Sequence, residues 1–178
     1  MSKRLFIGLE LPLVSRKMLA KLDPHIRGLR WVSVKQFHLT MSFLGQVEEA
    51  QEERLRTALG AVHVASFFLP IQGVGVFGGD RPTTLWAGVG KGHPHLFALH
   101  KHIQDAVMQA GFEPDLRSFH PHITLARVKD AQPQSLRPFL HQHEKTDFDL
   151  WQVTGFVLFS SVLSADGATY KVEMRREF

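Results

Sequence analysis

The sequence predicts an α+β fold whose two pseudo-symmetric lobes face each other across a central cleft. Three observations predict it. Strand-like and helix-like segments run in the order strand–helix–strand–helix–strand, and much the same order then recurs. A His–apolar–Thr–apolar element occurs twice, as His38-Leu39-Thr40-Met41 and His122-Ile123-Thr124-Leu125, at an offset of 122 − 38 = 84. The same rough offset lays Arg4–Glu10 near Leu85–Val89, and the helix from Leu13 near the one from His95. Read as an internal duplication, the 178 residues make one bilobal domain with approximate half-repeats 1–80 and 81–178.

Arg4–Glu10 reads as the first strand, ended by Leu11-Pro12. From Leu13 a helical stripe follows through Val14, Met18 and Leu22, with Ile26 beyond Pro24. Phe37–Leu44 is a strand stopped by Gly45. Glu48–Val64 is a helix, acidic in its first turn where the helix dipole favours negative charge, with Leu55, Leu59 and Val62 on one face. Phe67–Phe77 is a Gly-spotted strand that ends in the Gly78–Pro82 turn. Thr84–Val89 is a strand, and His95–Ala110 a helix with Leu96, Leu99, Ile103, Val107 and Ala110 on one face and Gly111 as its stop. His122–Val128 is a strand, Asp130–Pro133 a surface loop and Gln134–His141 a short helix. Trp151–Ser161 and Thr169–Met174 read as a closing hairpin joined by the Ala165-Asp166-Gly167 turn.

Composition narrows the function. Hydrophobic residues at 44% and charged residues at 21% supply a sizeable core and exclude a disordered chain. Net charge is 21 − 17 = +4 and the isoelectric point is about 9.6, which suits an anionic partner. Lys and Arg at 16, 17, 21, 27, 30 and 35 leave the first half somewhat basic. Solvated helix faces account for most of that, and attraction to an RNA backbone is the second reading. The absence of Cys excludes disulfides, thiolate nucleophiles and Cys-ligated metal. No run approaches the roughly 18 apolar residues of a membrane span. Glu10 and Pro12 interrupt the apolar start before any small-residue cleavage site, so a cytoplasmic protein is expected.

The chemistry resides in the two His-x-Thr elements. Side chains alternate along a strand, so each His and its Thr project together while Leu39, Met41, Ile123 and Leu125 enter the core behind them. With 11 His among 178 residues, one His-x-Thr arises by chance about half the time, but two flanked by apolar residues on strands are far rarer. Opening a cyclic phosphodiester needs a base for the attacking water and an acid for the departing oxygen. Two imidazoles near neutrality can divide those tasks, and hydroxyl donors can hold the charged oxygens.

These motifs carry a resemblance. RLFIGLELP at 4–12, FHLTMSFLGQV at 37–47, LWAGVG at 85–90 and SFHPHITLARV at 118–128 resemble the two-histidine (2H) phosphoesterase superfamily, specifically the LigT/ThpR-type RNA 2′,3′-cyclic phosphodiesterases, also called 2′-5′ RNA ligases. The resemblance implies lobes that are antiparallel sheets with helices outside. It also implies hydrolysis of a terminal RNA 2′,3′-cyclic phosphate to a 2′-phosphate, with reversible 2′-5′ ligation in some members. RNA 3′ ends or oligonucleotides are the implied partner; no metal, cofactor or protein partner is implied, and a monomer is expected. By the same resemblance His122 activates water, His38 protonates the leaving O3′, and Thr40 and Thr124 hold phosphate oxygens. Arg127 stands at the Arg of the family's HxTxxR pattern and adds positive charge beside the phosphate. Strict alternation from His122 puts Arg127 on the opposite strand face, so it serves only if the strand ends or bulges after Ala126.

Other features of the sequence admit competing readings. His93/His95, His100/His102, His120/His122 and His141/His143 invite a metallohydrolase, but His residues two apart diverge on a helix and no carboxylate recurs beside them. They read mainly as surface residues, with His120 at the cleft rim. Phe43, Trp86, Phe119 and Tyr170 are candidates to stack on a base, although alternation aims Phe43 into the core. Gly73, Gly75, Gly78 and Gly79 match no phosphate loop, which removes any sign of ATP use. The alternative function is a non-catalytic module that holds a 2′-phosphorylated or 2′-5′-linked nucleotide in the same cleft; an intact histidine pair favours the enzyme.

Overall fold

The computed structural model describes residues 2–90, 92–164 and 167–178. The elements are β1 (Lys3–Glu10), α1 (Leu13–Ala20), β2 (Leu29–Trp31), a 3-10 turn (Val34–Gln36), β3 (His38–Val47), α2 (Glu49–Gly60), β4 (Phe67–Phe77), β5 (Thr84–Val89), α3 (Pro94–Gln109), β6 (His122–Val128), α4 (Pro133–His143), β7 (Asp147–Val153), β8 (Gly155–Ser164) and β9 (Gly167–Glu177). The strands form one antiparallel sheet in the order β7-β4-β5-β6-β3-β1-β8-β9, with β2 alongside the far end of β6. Its two halves, β7-β4-β5-β6 and β3-β1-β8-β9, meet at the register pair Leu39↔Ile123.

A two-fold relation runs through that pair: β3 corresponds to β6 and β1 to β5. The chain does not divide between the lobes at residue 80. β4 leaves the first half to lie beside β5, and β8 returns from the second to lie beside β1. Each half of the sheet is therefore completed by a strand from the other half of the sequence. Such exchange ties the lobes together through two sets of ladder hydrogen bonds rather than through a linker.

Most elements fall where the apolar pattern puts them, and the departures have physical reasons. In α1, Val14 is 80% exposed while Ser15 is buried. The hydroxyl of Ser15 bonds the carboxylate of Asp149 on β7, a partner 134 residues away that rotates the short helix off its expected face. β3 runs past Gly45 to Val47, because Gly45 takes φ +71°, open to glycine without a Cβ clash. α2 ends at Gly60, and Val62 packs into the core from beyond its end. The expected strand Trp151–Ser161 is two strands broken at Thr154: β7 on the outer edge of one lobe and β8 inside the other. β8 and β9 do pair as a hairpin out to Ser164↔Gly167; Ala165 and Asp166 of the expected turn lie outside the described residues.

One core cluster runs behind both halves of the sheet. Leu9, Leu39, Ile123 and Leu125 meet Leu59 of α2 and Ile103 of α3, all fully buried. Burying each such side chain stabilises the fold by roughly 1.5–3 kcal/mol. On the opposite face of β1 and β8 a second cluster forms from Phe6, Val157 and Phe159, with Tyr170 packed on it. This explains the unbroken buried run Phe156–Phe159, since β8 is covered on both faces.

Candidate active site

Both His-x-Thr elements emerge on the face opposite the core. Leu39 and Ile123, the paired residues between them, are fully buried on the other side. His38 and His122 flank that single pair on one face, near enough for the charge of His122 to act on His38.

The two strands carry the same burial pattern over seven residues: half-buried His, buried, half-buried Thr, two buried in succession, exposed, half-buried. The doubled buried position marks a bulge in each. On β3 the register steps from Ile7↔Ser42 to Gly8↔Thr40, leaving Met41 as the extra residue. On β6 it steps from Leu85↔Ala126 to Trp86↔Thr124, leaving Leu125 as the extra residue. An extra residue reverses which face the following side chains take. Arg127 accordingly returns to the histidine face, where its Nη1 donates to Thr84 Oγ1 at 2.9 Å. Phe43 does the same on β3. The expectation that it points into the core is overturned: it is 60% exposed and packs beside Phe6 at 6.0 Å between ring centroids.

Each catalytic candidate is oriented in the same way. Nδ1 of His38 lies 2.6 Å from the carbonyl of Gln36, and Nδ1 of His122 lies 2.7 Å from the carbonyl of His120. A carbonyl only accepts, so both Nδ1 atoms carry hydrogen and both Nε2 atoms are left as the basic positions. The Thr40 hydroxyl donates to Nε2 of His38 at 3.1 Å. Gly8 lets β1 lie close to β3 beside this imidazole: a Cβ there would crowd the backbone oxygen of Leu39 at 3.0 Å, with the His38 ring in ordinary contact at 3.5 Å.

Electrostatics differ between the two rings. Burial pulls His38 down to about 4, aided by the charges of His122 and Arg127 and opposed by the Gln36 carbonyl. Burial also lowers His122, together with Arg127 and His120 and against the pull of the His120 carbonyl. Both imidazoles are therefore mainly neutral at pH 7. An anion between them would favour protonation of either. Tyr170 stands edge-on to His38 at 5.2 Å, with its hydroxyl pushed up by burial and drawn down by Arg127 and Arg4.

Phe6, Phe159 and Phe77, which no motif in the sequence marks, also border the two histidines. Phe6 contacts the His38 ring at 4.9 Å, and Phe77 stands edge-on to His122 at 4.8 Å. Their signal was the alternate phase of strands read only for their core-facing residues. Of the other aromatic candidates, Phe119 stacks face to face on His100 at 3.9 Å, and Trp86 sits opposite Thr124 on β5. Of the remaining histidines, His93 and His95 stack near Phe67 and His143 packs between Phe139 and Phe148, whereas His25, His63, His102 and His141 are exposed. Among the described residues no three His, Asp or Glu side chains form a group able to hold a metal ion. Nor is any described helix long and apolar enough to cross a membrane.

A cavity of about 640 Å³ opens beside His122, walled by Trp86, Phe77, Phe97 and Phe119. It does not extend to His38. The bilobal sheet, with matched histidine strands at its centre, defines a class of two-lobed proteins built around one cleft.

The chain belongs to the 2′-5′ RNA ligase superfamily, whose family model matches residues 16–163. It is 30% identical over 145 residues to the RNA 2′,3′-cyclic phosphodiesterase of Aeropyrum pernix, covering 80% of this chain and 82% of that one. It is 30% identical over 163 residues to the protein of the same name from Aquifex aeolicus, covering 89% and 86%. The crystal structure of Escherichia coli LigT with 3′-AMP superposes with a TM-score of 0.82 at 27% identity, covering 99% of this chain and 98% of that one.

Proposed function

We propose that this protein hydrolyses RNA 2′,3′-cyclic phosphate termini to 2′-phosphates, with His38 and His122 as its acid–base pair. The observation that carries this reading is the matched anchoring of both Nδ1 atoms, which leaves two Nε2 atoms for proton transfer on one face. Relatives named RNA 2′,3′-cyclic phosphodiesterase support the substrate class.

In the proposed step, Nε2 of His122 takes a proton as water attacks phosphorus. The P–O3′ bond breaks with its electron pair on O3′, which receives a proton from Nε2 of His38. The product carries a 2′-phosphate and a free 3′-hydroxyl. Thr40, Thr124 and Arg127 hold the phosphoryl oxygens, where fixed donors act most strongly on developing charge. The substrate's own negative charge raises His38 toward the protonated state this role needs. Proton transfer and fixed donors suffice for this scheme, so no metal takes part in it. With a ribose 5′-hydroxyl in place of water, the same transfers form a 2′-5′ linkage.

Product analysis on a short RNA with a 2′,3′-cyclic end, in excess chelator, tests the reading. A 2′-phosphate is expected. A 3′-phosphate would refute the assignment of O3′ as leaving group, and a zinc-restorable loss would refute the metal-free scheme.

A further inference from the structure

The two lobes match at the histidines but not beside them. β9 pairs with β8 along its whole length and delivers Tyr170 to the edge of the His38 ring. Its counterpart in the other lobe, β7, pairs only with Phe67–Gln72 of β4. Gly73 still donates to the Thr146 carbonyl just before β7, but the rest of β4, Val74–Phe77, has no strand beside it there, and Val74 and Phe77 line the 640 Å³ cavity. Local sequence keeps it open. Gly75 lets the Trp86 indole lie flat on the strand, since a Cβ at 75 would come within 2.3 Å of the ring. Where the first lobe has Phe6 opposite Phe43, the second has the small Thr84 opposite Arg127. One histidine is thus walled in by aromatic rings, while the other opens onto an aromatic-lined cavity large enough for a nucleoside.

We propose that this cavity binds the second nucleoside of a 2′-5′-linked substrate, the one joined to phosphorus through its 5′-oxygen. The inference rests on the function proposed above, in which His122 serves the oxygen that enters or leaves on its own side of the phosphate. That oxygen belongs to water in simple ring opening and to a ribose 5′ position in a 2′-5′ phosphodiester. A nucleoside carried on it extends from His122 into the cavity. There Trp86, Phe77, Phe97 and Phe119 offer ring faces and edges, and Gln72 and Lys145 offer polar groups to a base. The terminal nucleotide, on the other side of the phosphate, makes no use of these walls. Stacking on aromatic faces tolerates any base, so the pocket selects for the presence of a second nucleoside rather than for its identity.

The test is affinity for three ligands, measured by calorimetry on wild type, Trp86→Ala and Phe97→Ala: adenosine 2′-monophosphate, the 2′-5′-linked diadenosine monophosphate and its 3′-5′-linked isomer. Phe97 is 39% exposed on α3, so its variant stays folded if loss of the larger ring disturbs β5. Both variants are expected to weaken the 2′-5′ dinucleotide about fivefold or more, and the mononucleotide by less than about twofold. In wild type the 3′-5′ isomer is expected to bind more weakly than the 2′-5′ one. Equal weakening of mononucleotide and 2′-5′ dinucleotide would place the terminal base in the cavity and overturn the proposal. No weakening of either, or no binding of the dinucleotide to wild type, would show that no base enters it. Failure of wild type to bind the 2′-mononucleotide at all would strike the underlying function instead.

Discussion

Phe43 and Arg127 occupy the same place in the two lobes: each stands five residues after its histidine, and each is turned toward the cleft by one extra strand residue, Met41 or Leu125. The scaffold thus presents an aromatic face at one position and a guanidinium at its symmetry mate. The two should fail differently. In the proposed mechanism Arg127→Ala removes charge from beside the phosphoryl group and is expected to lower kcat about 100-fold or more. Phe43→Ala removes a stacking surface and is expected to raise KM about tenfold with little change in kcat. Steady-state kinetics on a cyclic-phosphate dinucleotide separates these outcomes, and a kcat loss for Phe43→Ala would contradict the division.

The pH dependence follows from the direction of both histidine shifts. The proposed mechanism needs one protonated and one neutral imidazole. In the free protein His38 lies near 4 and His122 below the ordinary 6.5, so kcat/KM is expected to trace a bell centred on the acid side of 6.5. The two limbs belong to the coupled pair rather than to either ring. Bound phosphate should displace the kcat profile upward. A free-protein optimum above pH 7.5 would contradict the burial-lowered values.

Stability carries the same signature. His38 is neutral in the folded protein and ordinary in the unfolded chain, so its contribution is complete above pH 6.5 and is lost as pH falls toward 4. The loss amounts to about 3 kcal/mol across that window. His38→Asn is expected to flatten this part of a urea-denaturation series between pH 7 and 4. An unchanged acid slope would mean that His38 is solvated.

Away from the cleft, Glu52 of α2 is buried against Lys3 and Arg56, which also meet Glu173 on β9. Burial raises the Glu52 carboxyl, but Arg56 and Lys3 outweigh it and hold it below the usual range. Glu52→Ala is expected to destabilise the fold by about 1–2 kcal/mol, a modest figure because both cations are partly solvated. Thermal unfolding measures it, and kcat should not move.

The elements of this site were legible in the sequence to different degrees. His38, Thr40, His122 and Thr124 needed only period-two alternation and an offset of 84 to be placed together. Phe43 and Arg127 were harder, because a bulge is a property of the ladder and strict alternation sends both to the wrong face. Ser15 was hidden for a related reason: its burial depends on Asp149, far along the chain. The strand exchange was also invisible. Trp151–Phe159 is apolar enough to read as one strand, and only tertiary pairing breaks it at Thr154.

The central claim is that two imidazoles share one phosphorus. Single-turnover ring opening of a 2′,3′-cyclic RNA end by wild type, His38→Asn, His122→Asn and the double variant tests it most directly. Each single variant is expected to lose about 10²–10⁴-fold, and the double variant little more than either, because the pair acts as a unit. Near-wild-type turnover in a folded single variant would contradict the account.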